Sequence, residues 1–282
     1  SEILGLLRNS TYGLPDASTF TETDYKPKLT LDYVSSPTIG VGYDRYYGAY
    51  GGGGIALTWS DMLGKHNLMT AAQVNNRLMD SAAMAAYMNS EHRFNWGAVL
   101  QRIPVVYGNY YYGYDIVDGQ YAEVNQEVLY RQIYYEAGAF GRYPFSPAQR
   151  FEMSAAYNYI QFDNVIYESA YTLDGWPIYA NKKTQLPSPD GLHLAYASAA
   201  LVYDTANYGA TAPILGQSYR FEVSPTFGSL NFTSVTLDFR KYIMPVKPFT
   251  LAFRAMHYGR YGKGSNDSRL WPMFLGYDWY IR

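Results

Sequence analysis

Cysteine is absent from the 282 residues, which excludes disulfides and thiolate metal sites but fixes no compartment. Charge is scarce at 16% of the chain, with a net of −2 and no basic run, so nucleic acid is not an expected partner. Apolar stretches are short. The longest, Ala82 to Met88, falls far below the roughly 18 residues of a transmembrane helix. The sequence opens at Ser1 without a signal-peptide pattern, so an exported protein is expected here in processed or truncated form. Catalytic constellations are missing too. The four histidines, His66, His92, His193 and His257, lack metal-ligand spacing, and neither G-x-S-x-G nor a P-loop occurs. Gly51 to Gly54 has no lysine and no helix after it, and reads as glycines that let a strand bend. Asp61, Asp204 and Asp267 fall at turns or loops, where turn chemistry accounts for them without calcium. Neither enzyme activity nor a metal or cofactor is expected.

What the chain has in abundance is tyrosine, 32 residues of it, within an aromatic share of 18%. Tyrosine and tryptophan suit places where one end of the ring is apolar and the other wet, such as the girdles of a membrane barrel. They also favour strands anywhere.

The pattern around them is alternation. From Arg150 to Tyr159, Phe151, Met153, Ala155, Tyr157 and Tyr159 share one face of a strand, while Arg150, Glu152, Ser154, Ala156 and Asn158 share the other. Tyr219, Phe221 and Val223 stand likewise against Arg220 and Glu222, and Val235, Leu237 and Phe239 against Asp238 and Arg240. Phe94, Trp96, Ala98 and Leu100 oppose Arg93, Asn95 and Gln101, and Leu68, Ala72, Val74 and Leu78 oppose Asn67, Gln73, Asn75 and Arg77. A soluble sandwich or a membrane barrel would satisfy such a pattern. Strands of about ten residues match a tilted crossing of a bilayer, and a midplane arginine facing lipid costs about 2–4 kcal/mol. Arg150, Glu152, Arg220, Glu222, Asp238 and Arg240 are therefore expected to face a lumen.

Counting strands gives roughly eleven, joined by alternating long and short connections as in outer-membrane barrels. Val105 to Tyr121 and Phe162 to Asp190 read as the long loops, the second with a hairpin around Asp174-Gly175. Ala122 to Phe140 carries Glu123, Glu127 and Arg131 four apart, as a helix would, but its β-branched and aromatic content favours a strand. Eleven strands would leave two edges unpaired in hydrocarbon, so further strands or a cover for the gap are expected.

Three stretches together resemble a known family: Tyr50-Gly-Gly-Gly-Gly-Ile-Ala-Leu-Thr-Trp-Ser-Asp-Met-Leu-Gly64; Tyr203-Asp204-Thr205 with Gly209 to Gly216; and Phe274-Leu275-Gly276-Tyr277 leading to Ile281-Arg282. They resemble the BamA/TamA-like bacterial surface-antigen superfamily of outer-membrane barrels, and more closely the barrel that follows a TolB-like β-propeller. The resemblance implies an antiparallel transmembrane β-barrel over residues 25–282, about eleven strands of about sixteen, with residues 1–24 as the link from a propeller. It implies a loop after strand eleven that folds into the lumen. Gly276, Tyr277, Ile281 and Arg282 would belong to it, Ile281 and Arg282 matching two of the four residues of its Val/Ile-Arg-Gly-Phe/Tyr motif. It also implies residence in the bacterial outer membrane, with the lipid bilayer, a propeller in the same polypeptide and envelope-complex subunits as partners. The work expected is outer-membrane protein assembly, or transport of polypeptide or lipid. Two alternatives stand beside it: a non-catalytic barrel that anchors the propeller or serves as a structural subunit, and a soluble all-β protein binding through its tyrosine-rich segment.

Overall fold

The computed structural model describes residues 20, 24–44 and 48–272, with the backbone alone for 42–44 and 48–50. Among the described residues the chain runs in strands, many of them long, and the helical structure is the 3-10 turn Leu78–Asp80. β1 (Thr30–Val34) and β2 (Thr38–Asp44) lie end to end along one edge of β3 (Gly48–Ser60). β4 (His66–Asn75), β5 (Ala82–Asn89), β6 (Asn95–Val117), β7 (Gln120–Pro144) and β8 (Gln149–Thr172) follow as antiparallel neighbours. β9 (Pro177–Gln185) pairs with the far end of β8, and β10 (Leu192–Asp204) with its near end. β11 (Asn207–Tyr208) is a short strand against β12 (Pro213–Gly228), and β13 (Phe232–Val246) and β14 (Phe249–Tyr261) complete the sheet.

The chain is thus all-β, a single antiparallel sheet of 14 strands. The sheet is not closed: among the described residues β14 pairs only with β13, and β1 and β2 only with β3. It does curl. β14 stands five strands from β7 along the sheet, about 24 Å apart if flat at about 4.8 Å per strand. Yet Arg260 of β14 donates to the carbonyl of Trp271, whose indole N–H donates to the Tyr134 hydroxyl of β7. Side chains rising from a flat sheet would not close that gap through one tryptophan. The face carrying Tyr134 and Arg260 is therefore the concave one.

Two expected loops are strands. Val105 to Tyr121 continues β6 through a tight turn at Asp118-Gly119, both with positive φ, into β7. Most of Phe162 to Asp190 is β8 running on to Thr172 and β9 returning after the turn at Asp174-Gly175. In each case backbone groups that a loop would leave to water are satisfied by ladder bonds. β6 past Arg102, with the facing parts of β7, β8 and β9, forms an arm extending beyond the last β5 partner. Arg77 and Leu78, read as the end of a strand, lie in the connection after β4 instead, where Leu78–Asp80 makes one 3-10 turn. The segment Ala122 to Phe140 is strand, as its β-branched content favours.

At Gly228 the chain turns out of β12 with φ at 124°, and an added Cβ would lie 2.1 Å from the His193 carbonyl oxygen. Gly228→Ala should destabilise the fold by about 2 kcal/mol or more. Gly113→Ala, whose Cβ would meet nothing within 4 Å, should stay within about 0.5 kcal/mol of the parent. Denaturant titration followed by tryptophan fluorescence measures both.

Candidate functional site

The convex face is apolar where the sheet is widest. On β12 and β13, Phe221 sits opposite Leu237 and Val223 opposite Val235, and β10 and β8 add Ala199 and Met153 at the same level. Leu100 of β6 is 62% exposed and Phe253 of β14 is 56% exposed. Two lines of aromatic rings border this band. Tyr203 stacks on Tyr219 at 5.1 Å along one border, and Tyr135 stacks on Tyr159 at 5.9 Å along the other. Beyond them the same face turns polar, with Lys241 donating to Gln217 at one end and Arg102 donating to the carbonyls of Met79 and Ser81 at the other. On β8 the apolar run between borders is Phe151 to Tyr159, before Gln161 and Asp163.

The concave face carries the charges. Glu152, only 16% exposed, receives Arg150 Nε at 2.6 Å on one oxygen and Arg220 Nη1 at 2.6 Å on the other. Arg220 also donates to Glu222 at 2.8 Å. Thus β8 and β12 are joined over the small Ala200 of β10, which lies between them in register. Asp238 of β13 receives Arg240 at 2.7 Å and Arg254 of β14 at 2.9 Å. Tyr196 donates to Glu136 at 3.3 Å over Ala156, and the hydroxyls of Ser154 and Ser198 meet at 2.7 Å. The six polar residues singled out from sequence therefore fall into two clusters: Arg150, Glu152, Arg220 and Glu222 in one, Asp238 and Arg240 in the other. Arg254, in register with Arg240 and on the polar side of its own strand's alternation, completes the second.

After β14 the chain folds back across this concave face. Leu270 packs against Ile160, Leu192, Leu194 and Leu230, and the Trp271 ring meets Tyr107 edge-on at 5.6 Å. Arg269 clamps Asp267 with two guanidinium nitrogens, at 2.9 and 2.8 Å, and donates to the Asp190 carbonyl. Gly276, Tyr277, Ile281 and Arg282 lie outside the described residues, as do most of residues 1–24.

The β4–β5 connection forms a second non-local lock. Arg131 of β7, 2% exposed, donates to Asp80 at 2.6 Å and to Asp163 of β8 at 3.1 Å. Arg77 pairs with Glu127 at 2.7 Å and lies 4.0 Å over the Tyr167 ring. Asn75, Asn76, Arg77, Asp80 and Glu127 help line a cleft of about 1330 Å³, whose walls include Gly51 to Gly54, alanines of β3, β4 and β5, and apolar side chains such as Ile55, Met84 and Ile103.

Three of the four histidines take tyrosine partners: His66 with Tyr87 at 2.7 Å, His193 with Tyr157 at 2.5 Å and His257 with Tyr261 at 2.6 Å. Asp61 is buried and accepts from the His66 backbone N–H and the Tyr25 hydroxyl. Among the described residues no three acidic or histidine side chains are grouped closely enough to hold a metal. No family model, no curated protein and no solved structure matches the chain.

Arg131→Met should strand two carboxylates beside an apolar side chain and cost about 3–5 kcal/mol. It should also free the β4–β5 connection, seen as faster tryptic cleavage after Arg77 than in the parent. The Arg269 guanidinium and backbone N–H hold Asp267 down to about 2, from 3.8. A depressed carboxyl stabilises fully above its unfolded value and loses that contribution as pH falls through the folded one. Asp267→Asn should therefore flatten whatever loosening of the folded-back segment occurs between pH 4 and 2, read by Trp271 emission in a variant whose other four tryptophans are replaced by phenylalanine.

Proposed function

We propose that this chain is the wall of a bacterial outer-membrane β-barrel of the surface-antigen type, working in membrane-protein assembly or in transport of polypeptide or lipid. One observation carries the membrane part: exposed apolar side chains form a band on the convex face between two aromatic borders, while arginines and carboxylates pair on the concave face. Water gives no reason to expose Leu100, Phe221, Val223 and Phe253 together. A hydrocarbon surround does, and the aromatic lines then sit where headgroups meet acyl chains.

The assembly or transport part draws support from the interior. A concave face bridged by Glu152 and Asp238 and crossed by the folded-back segment suits a plugged wall better than an open diffusion pore. The inward fold after β14 also agrees with the loop that the sequence resemblance implies. An anchoring barrel would share all of this, so a cellular measurement separates the two. Depleting the protein should lower the amounts of other outer-membrane proteins or disturb lipid asymmetry; an anchor would leave both unchanged.

The membrane reading has its own test. Leu100→Arg should oppose insertion by about 2–4 kcal/mol if that side chain lies near the midplane. It should shift the protein from the membrane fraction to aggregates, and brominated lipids should quench Trp96 in the parent. Extraction of the parent in buffer without detergent, with Trp96 unquenched, would overturn the reading.

A further inference from the structure

On the arm, one arrangement occurs twice. Tyr110 of β6, Glu127 of β7 and Tyr167 of β8 stand in register as a row on one face. Four residues further out, Tyr114, Glu123 and Tyr171 form the same row on the same face. The inner row already shows its chemistry: Arg77 reaches it from the β4–β5 connection, pairs with Glu127 at 2.7 Å and lies over the Tyr167 ring at 4.0 Å. A carboxylate beside tyrosine faces is a site for a guanidinium or ammonium group.

The outer row sits in acidic surroundings. Residues 103–130 hold Asp115, Asp118, Glu123 and Glu127 and no lysine or arginine, and residues 160–180 hold none either. The Tyr114 and Tyr121 rings are parallel within 5° and both are about half exposed. The Tyr112 hydroxyl is pushed up to about 12, first by its hydrogen bond with Tyr114, then by burial and the Glu123 charge. β9, the neighbour of β8, sets Lys183 beside Tyr167 of the inner row and Lys182 beside Glu168, the blunting usual for an edge strand, but opposite Tyr171 of the outer row it places Pro177 and no lysine.

We propose that the outer Tyr114–Glu123–Tyr171 row binds an arginine or lysine side chain of an extended basic segment in another polypeptide, repeating what the inner row does with Arg77. The partner is cationic because the row and its surroundings are acidic, and polypeptide because the inner row is filled from a polypeptide connection. The proposal stands whether or not the wall lies in a membrane.

The test uses the full chain in detergent micelles and a capped octapeptide of alternating arginine and serine, with a matched peptide carrying neutral citrulline for arginine. Fluorescence anisotropy of the labelled peptides should give about tenfold tighter binding for the arginine form at low salt, weakening as salt rises. Glu123→Gln should remove most of that preference, and Glu123→Lys should transfer it to a glutamate–serine peptide. Equal binding of the arginine and citrulline peptides by the unaltered protein would overturn the proposal, and that comparison needs no variant to fold. Unchanged preference in Glu123→Gln would also overturn it, since the cation would then be held elsewhere.

Discussion

A guanidinium can belong to an apolar wall only if it turns away from the apolar side and finds a carboxylate there, and the register of β8, β10 and β12 arranges that. Glu152 and Arg220 sit two strands apart, and Arg220 reaches Glu152 diagonally past the small Ala200, which lies in register between Glu152 and Glu222. A larger residue at 200 would fill the space through which the pair meets. A one-residue slip of β12 would carry Arg220 and Glu222 to the face that now bears Phe221 and Val223. The ion pairs thus act less as a source of net stability, which desolvation largely cancels, than as a device fixing register across the sheet. The same logic holds at Asp238, where Arg254 of β14 crosses to a carboxylate that Arg240 of β13 also holds.

How much of this was legible in the sequence follows from period. Arg150 to Tyr159 alternates cleanly, so its strand, its two faces and the grouping of charges could be read directly. The count of about eleven strands falls short of the 14 in the sheet, because β9 lies within a stretch read as a loop and β11 is only two residues long. The arm was read as loop because Tyr110, Tyr111 and Tyr112 place rings on both faces, and Gly108 and Gly113 break the run. Alternation is lost when both faces carry the same residue type, and β-propensity without alternation does not separate a strand from a tyrosine-rich loop.

The two locks escaped for a different reason. Arg131 finds Asp80 across 51 positions, and Trp271 finds Tyr134 across 137. Neither spacing has a period, so no local pattern announces them. Arg131 hinted at a helical pairing with Glu127, whereas the strand sends Glu127 to Arg77. What sequence does offer is the polar connection itself: Asn75, Asn76, Arg77 and Asp80 bring more hydrogen-bonding groups than a simple turn requires.

The length of β7 has a topographic result. Its 25 residues span about 85 Å at about 3.4 Å each, against a hydrocarbon thickness of about 30 Å. Even steeply inclined, such a strand uses roughly half its length in the crossing, and the remainder stands clear like a mast. In the membrane reading, the turn at Asp118-Gly119 is then among the first parts of the molecule that a macromolecule arriving from outside would touch, well before it reached the lipid.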